Sequence, residues 1–310
     1  MDTQFNRTTI YISLGISIAM VFAVIFGAKY VLTSASQQPV ALPPTPSEAA
    51  KSPKCAAVVT ALPDKLMGYP RVDLAAPAPA GAAAWAKNSE DKVTLRCGVD
   101  LPQQYTDYSH TVEADGESWL QVIDATPGSN LTTWYSTKHT PAIAVTTSSE
   151  DARDDAPEGL EDAFKQLENK AQKANPAPLS QLKAGPDSMC PALEKALPES
   201  LAEGYARRTD VGDKNTWVYS APGREEIVVR CGVASPENYR AGVQLQQVND
   251  VPWFEDTTLA EDTTLAEGTT SGTWFALGRA EDLALSAPQD AANSALVRLS
   301  DALMAATPSQ

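Results

Sequence analysis

The tetrapeptide Arg-Cys-Gly-Val occurs twice in the chain, at residues 96–99 and at residues 230–233. An earlier cysteine precedes each copy, Cys55 and Cys190, and each begins a nine-residue stretch that ends in Ala-Leu-Pro. The matches continue in the same order on both sides of the tetrapeptide: Gly68-Tyr69 with Gly204-Tyr205, Trp85 with Trp217, Pro102 with Pro236, Tyr105 with Tyr239, Trp119 with Trp253, and Trp134-Tyr135 with Trp274-Phe275. Residues 55–174 and 190–307 are therefore predicted to be two copies of one domain.

The cysteines allow three pairings, and the duplication favours one bond within each copy, Cys55 with Cys97 and Cys190 with Cys231. Closing a loop of about 40 residues stabilises a domain by about 4 kcal/mol in the chain-entropy model. The alternative is four reduced, buried thiols, which is what a cytoplasmic chain would show. Paired cysteines at matched positions instead favour an oxidising compartment.

Composition narrows the classes of function. The chain has 310 residues, of which 43% are hydrophobic, enough for two domains with cores of their own. Its 39 Asp and Glu outnumber its 24 Lys and Arg, for a net charge of -15, which argues against nucleic-acid binding. The two histidines, His110 and His139, have no counterparts in the second copy, no acidic motif lies beside them, and both are predicted to be surface residues. We therefore expect that the protein is not an enzyme and that it has no catalytic residue, bound metal or cofactor.

An apolar stretch near the N-terminus predicts a membrane helix. Residues 10–28 carry no charge and are bounded by Arg7 and Lys29, and as a helix they span about 28 Å, close to the thickness of a bilayer core. We predict a retained anchor over residues 10–31, although the small residues 33–35 leave a cleavage site open. The flanking basic residues do not fix the orientation. Because the cysteines indicate an oxidising compartment, residues 1–9 are predicted to be cytoplasmic and both repeats extracytoplasmic.

Small residues recur every fourth position within this helix, which places them on one face: Gly15, Ala19, Ala23 and Gly27. Such a face lets a second membrane helix approach closely, although Gly and Ala are also common in membrane helices without that role. If the face is used, its partner lies in the same membrane.

Proline-rich stretches precede both repeats and are predicted to be linkers. The linker is predicted over residues 32–54; its residues 34–54 contain five prolines, and as a polyproline-type spacer they could reach roughly 65 Å and hold the repeats away from the membrane. Residues 175–189 join the repeats and would let them pack together or move separately. A tandem hexapeptide at residues 255–260 and 261–266 makes the second copy six residues longer and predicts a lengthened surface loop.

The pattern of apolar residues predicts an α+β fold, in which each copy has a mostly antiparallel sheet between an N-terminal and a C-terminal helix. In the first copy, strands are predicted over residues 82–86, 92–97, 118–124, 131–136 and 142–147. Helical spacing predicts a terminal helix in each copy, from Leu160, Phe164, Leu167 and Ala171 in the first and from Leu296, Leu299 and Leu303 in the second.

Two groups of side chains are candidates for a partner surface. The aromatic pairs Trp134-Tyr135 and Trp274-Phe275 either belong to the cores or line a groove for a ligand or partner. An acidic run that includes Asp151, Asp154 and Asp155 either favours the start of a helix or steers a basic partner. The arginines of the tetrapeptides, Arg96 and Arg230, either pair with a buried carboxylate or point to solvent.

The anchor, the Ala-Leu-Pro helix start and the Arg-Cys-Gly-Val strand followed by Pro and Tyr resemble an actinobacterial family of extracytoplasmic domains, the family called domain of unknown function 3515. The resemblance covers residues 55–310 as two copies, where relatives commonly carry one. It implies an envelope location and the two disulfides, and it implies no particular chemistry. In layout the chain is also similar to single-pass accessory subunits of actinobacterial respiratory cytochrome bc–oxidase supercomplexes.

These features lead to two functional hypotheses. The first is a non-enzymatic accessory or scaffold subunit of an actinobacterial membrane complex, most plausibly the respiratory cytochrome bc–oxidase supercomplex. The second is an envelope protein that binds a lipid or a cell-wall fragment in a groove between a sheet and its terminal helix.

Overall fold

The computed structural model describes residues 7–36, 39–44, 47–88, 90–240, 242–257, 270–279 and 281–306. Most of the tandem hexapeptide, the first six residues and the last four lie outside these described residues. Five α-helices are described: α1 (Arg7–Ser36), α2 (Pro53–Ala61), α3 (Glu161–Phe164), α4 (Cys190–Ala196) and α5 (Gln289–Ala306). The class is α+β, as predicted, with one large antiparallel sheet and one disulfide in each half, and a small two-stranded sheet in the first half.

The two sheets share one topology. The first repeat supplies β1 (Lys65–Leu66), β2 (Tyr69–Val72), β3 (Ala82–Ala86), β4 (Lys92–Val99), β5 (Thr111–Ala114), β6 (Glu117–Ile123), β7 (Thr132–Ser136), β8 (His139–Thr140), β9 (Ala142–Thr147) and β10 (Glu168–Asn169). The second supplies β11 (Ala206–Arg207), β12 (Thr216–Ser220), β13 (Ile227–Val233), β14 (Gln246–Val248), β15 (Val251–Glu255), β16 (Ser271–Ala276) and β17 (Asp282–Pro288). The first sheet has the order β1-β2-β3-β4-β9-β7-β6-β5, and the second β11-β12-β13-β17-β16-β15-β14. Apart from the extra edge strand β1, the orders correspond strand for strand, so the duplication extends to the fold.

One face of each sheet packs against helices. In the first repeat the buried side chains of β3, β6 and β7 include Trp85, Trp119 and Trp134, in one cluster with the disulfide. In the second repeat α4 and α5 cover the sheet, and Leu296, Leu299 and Leu303 are buried as their spacing predicts.

The prediction of a long terminal helix in the first repeat is wrong. Leu160 and Phe164 are buried as expected, but the helix ends at Phe164 and Ala171 is exposed. The physical reason is a competing pairing, because Glu168 and Asn169 form β10 against Thr140 and His139 of β8. These strand hydrogen bonds take the place of the next helical turns.

The repeated Arg-Cys-Gly-Val stretch forms a β-bulge in both sheets. The strand register shifts between Cys97 and Val99, and again between Cys231 and Val233. The intervening glycines, Gly98 and Gly232, have φ values of +79° and +71°, in the left-handed region that favours glycine. A Cβ on Gly98 would lie 2.4 Å from the backbone nitrogen of Ala50. The glycine therefore lets the segment before the first cysteine cross the strand in contact with it.

The proline-rich stretch at residues 32–54 is not a free spacer along its whole length. Val40 pairs with Leu74 next to the first sheet, through backbone hydrogen bonds of 2.9 and 3.0 Å, and a 3-10 helix, Glu48–Lys51, lies against β4. Only residues 37–39 separate the end of α1 from Val40, so the predicted reach of roughly 65 Å is wrong. A connection this short spans about 14 Å at most and keeps the first repeat near the end of α1.

Candidate functional site

The two repeats pack together through a loop of the first repeat. Tyr108 donates its hydroxyl hydrogen to Asp213 at 3.1 Å, and its carbonyl oxygen accepts from Arg208 at 2.7 Å. The backbone N–H of His110 donates to the Glu226 carboxylate at 3.1 Å. Of the two possibilities for the repeats, packing together and moving separately, the structure has the first.

The segment between the repeats also belongs to this junction. Ala177 and Leu179 are buried with Tyr108 against the face of the second sheet that α4 and α5 do not cover. The guanidinium of Arg230 donates to the carbonyl oxygens of Leu179 at 2.6 Å and Ser180 at 3.1 Å. The arginine of the repeated tetrapeptide thus holds the inter-repeat segment on its own sheet, which is neither of the two roles expected for it.

A cavity of about 360 Å³ lies between the repeats, beside the polar part of this sheet face. We call it the junction cavity. Its floor is formed by residues on or beside β13, β15, β16 and β17, and its walls by the loop of the first repeat and the inter-repeat segment. The lining residues are Gln103, Gln104, Thr106, Pro176, Ala177, Pro178, Leu179, Gln181, Leu182, Glu225, Glu226, Glu255, Asp256, Thr257, Ser271, Gly272, Thr273, Ser286 and Gln289. Four of these described residues are acidic and none is basic.

Two adjacent glutamates in the lining have different environments. Glu225 accepts hydrogen bonds from the backbone N–H of Thr270 at 2.8 Å and from the hydroxyls of Thr270 and Ser271 at 3.1 and 2.5 Å. Glu226 is only 6% exposed and forms no ion pair with a described residue. Its burial raises the pKa of the Glu226 carboxyl to about 7, although two backbone hydrogen bonds and the charge of Arg208 act in the opposite direction.

Replacing Glu226 with glutamine is expected to stabilise the protein more at pH 8 than at pH 5. The folded-state pKa is raised, so the ionised carboxyl destabilises the fold progressively as the pH rises from about 4.5 to about 7. The neutral amide avoids this cost, and the gain in unfolding free energy at pH 8 should reach about 3 kcal/mol at most. Urea denaturation of both proteins at the two pH values measures it.

Glu225→Gln is the matched control, because its carboxylate holds three hydrogen bonds that an amide satisfies less well. We expect that variant to lose stability at both pH values. A Glu226→Gln effect that does not change with pH would contradict the assignment.

A second buried acid, Glu117, lies in the first repeat and is fully buried. One of its oxygens accepts from the backbone N–H groups of Ser118, Thr137 and Lys138 at 2.7 to 3.2 Å. The other lies 2.5 Å from Nδ1 of His139, whose ring stacks on Phe164. His110 is exposed, as predicted for both histidines, whereas the side chain of His139 is only 15% exposed. Glu117, at the start of β6, holds the turn between β7 and β8, which is a structural role.

Most of the predicted aromatic partner surface lies in the interior. Trp134, Trp274 and Phe275 are at most 2% exposed, in three different buried clusters, and Tyr135 is half-buried. Buried tryptophans cannot form a docking surface, so their interpretation as core residues is the correct one. Asp154 and Asp155 are exposed and do not line the junction cavity, and the side chain of Asp151 lies outside the described part of the structure.

The structure places the membrane-helix residues on an exposed element. The stretch Tyr11–Val31 of α1 is long and apolar enough to cross a membrane, none of it is buried, and a signal sequence would have the same properties. Nothing lies within 4 Å of where a Cβ on Gly15 or Gly27 would be. Helix packing through Gly15, Ala19, Ala23 and Gly27 stays a prediction.

One cluster of residues with metal-ligand chemistry is present among the described residues: Cys190, Cys231 and Glu281. Its two sulfurs are joined in a disulfide and are not free to bind a metal. The Glu281 carboxylate accepts from the backbone N–H groups of Ser188 and Met189 at 2.7 and 2.9 Å, which satisfies donors at the start of α4. Its role in this structure is to hold the backbone that leads into α4.

Fold and site together define a tandem-domain protein: two disulfide-bonded α+β repeats that share a junction cavity and follow an apolar helix. The family model described as "Protein of unknown function (DUF3515)" matches residues 14–173 and again residues 163–310, so the chain belongs to that family. Each match includes residues before the first cysteine of its repeat, and parts of these segments, Glu48–Lys51 in the first and Ala177 with Leu179 in the second, pack on the sheets. No curated protein and no solved structure matches the chain.

Proposed function

We propose that the chain is a membrane-anchored, extracytoplasmic binding protein without catalytic activity, which holds a small ligand in the junction cavity. The observation that carries this proposal is a cavity whose walls come from both repeats and from the segment between them. Its volume of about 360 Å³ falls in the range of small-molecule sites, roughly 300–1,000 Å³. A ligand groove was expected between a sheet and its terminal helix, but in the second repeat the side chains of α5 fill that space. We therefore place the ligand in the junction cavity.

The lining supports binding more than catalysis. The described lining residues include no histidine, the commonest general base, and no cysteine or lysine nucleophile; of its four acids, Glu225 is occupied by hydrogen bonds from Thr270 and Ser271. His139 lies outside the cavity and is paired with Glu117. The disulfides support placing both repeats outside the cytoplasm, because such bonds persist in oxidising compartments.

Filling the cavity is expected to abolish ligand retention without unfolding the protein. Thr273 lies on the cavity floor, so Thr273→Trp places a large side chain there. The matched control is Thr133→Trp at the equivalent position of the first sheet, outside the cavity. Native mass spectrometry of the full chain, purified in mild detergent, should find a small molecule on the wild type and on the control but not on Thr273→Trp. Equal retention by all three would overturn the proposal.

As a second proposal, the chain is an accessory subunit of an actinobacterial membrane complex, the respiratory cytochrome bc–oxidase supercomplex. It is supported by α1, whose apolar stretch is exposed along its length, and by the short connection that keeps the first repeat close to that helix. Affinity purification from native membranes tests it. Recovery of cytochrome and oxidase subunits in fixed ratio supports it, and recovery of the chain alone overturns it.

A further inference from the structure

We propose that the ligand of the junction cavity is a linear polyamine, a flexible apolar chain that carries several ammonium groups. This inference rests on the proposed function, because it names the chemistry of the ligand in the same cavity. Three features of the cavity carry it: its charge, the spacing of its acids and the chemistry of its walls.

The charge of the lining is of one sign. Glu225, Glu226, Glu255 and Asp256 contribute carboxyl groups, and the described lining residues contribute no base. Glu226 is 6% exposed. Arg208 is the base whose charge acts on the Glu226 carboxyl, and Arg208 is itself ion-paired with Asp210 at 2.6 Å. A buried carboxylate whose nearest counter-charge is already paired with another acid is costly, and a cationic ligand would supply a further positive charge.

The acids are too far apart for one small ion. Glu226 lies just before β13 and Asp256 just after β15, with β17 and β16 between them in the sheet. Three strand spacings separate their backbones by about 14 Å. Among the described residues, no three carboxylates bring their oxygens within 4.8 Å of one another, as a calcium site would require. Charges distributed along a chain match this arrangement better than one metal ion does.

The walls suit the rest of such a chain. Methylene groups can pack against the apolar lining residues of the inter-repeat segment, Pro176, Ala177, Pro178, Leu179 and Leu182. The side-chain oxygen of Gln103 is buried and accepts no hydrogen bond from the described residues, and the hydroxyls of Thr273 and Ser286 lie on the floor. These oxygens are acceptors for ammonium N–H groups.

Isothermal titration calorimetry of the full chain in mild detergent, with spermidine as the probe, tests the inference. We expect saturable binding of spermidine and of a straight-chain diamine, and none of the uncharged diol of equal length. Glu226→Gln should weaken spermidine binding about tenfold or more, because it removes a buried charged partner. Asp155→Asn is the matched control, since it removes one exposed acid outside the cavity and should leave the affinity unchanged.

The outcomes separate this inference from the proposed function. Equal binding of diamine and diol, or equal loss of affinity in Glu226→Gln and Asp155→Asn, would overturn polyamine recognition. If spermidine does not bind while the wild type retains another molecule that Thr273→Trp loses, the inference fails and the proposed function stands. If the wild type retains no ligand and spermidine does not bind, both fail.

Discussion

Replacing Gly98 with alanine is expected to destabilise the first repeat by about 3 kcal/mol or more. The residue has a φ of +79°, and a Cβ there would lie 2.4 Å from the nitrogen of Ala50 and 2.8 Å from its Cα. Both atoms belong to the backbone, so relief requires the segment before Cys55 to move off the strand. Backbone strain and overpacking each cost about 1–3 kcal/mol, and here they act together. Urea denaturation of the full chain in mild detergent, followed by circular dichroism, measures the loss.

Gly116→Ala is the matched control for this prediction. Gly116 has nearly the same φ, +77°, but nothing lies within 4 Å of where its Cβ would be. The Gly116→Ala variant should therefore lose only about 1–2 kcal/mol of stability, which is the cost of an alanine in the left-handed conformation. Equal losses in the two variants would show that the close approach to Ala50 does not matter. Gly232→Ala repeats the experiment in the second repeat, where the nearest atom would be the Cβ of Asp187 at 2.8 Å.

Removing a disulfide is the second change with a large expected effect. The Cys55–Cys97 and Cys190–Cys231 bonds join residues 42 and 41 positions apart, and all four cysteines are buried. In the chain-entropy model each bond of this length contributes about 4 kcal/mol, a large part of the stability of a domain. The double variant Cys55→Ala with Cys97→Ala should lower the urea midpoint strongly, and so should the equivalent pair of changes in the second repeat.

Reduction provides the control. A reducing agent should lower the midpoint of the wild type and leave a variant without any of the four cysteines unchanged, because the chain has no other cysteine. An unchanged wild-type midpoint would contradict a stabilising role for the bonds. A strong shift would also support an oxidising compartment, since the folded protein would then depend on its disulfides.

The sequence analysis did not predict the candidate site, although the sequence contains one signal for it. Arg224-Glu225-Glu226 directly precedes the buried strand β13, and Glu226 is two residues before Val228, so it continues the same face of that strand. That alternation would have placed a carboxyl on a covered face. It could not have shown that the covering includes a loop of the first repeat, or that space remains beneath it.

The sequence by itself determined the duplication, the α+β class, the pairing of the cysteines and the apolar N-terminal helix. Each of these follows from comparing the chain with itself or from a local run of residues. The tertiary structure alone decided that β10 replaces a long helix after Phe164, that the proline-rich segments pack on the sheets, and that Glu226 lies in a cavity shared by both repeats. These features depend on contacts between segments far apart in the chain, such as His110 with Glu226 and Arg230 with Leu179. The free energy of such contacts depends on how well two distant segments fit together, and a local sequence pattern does not contain that information.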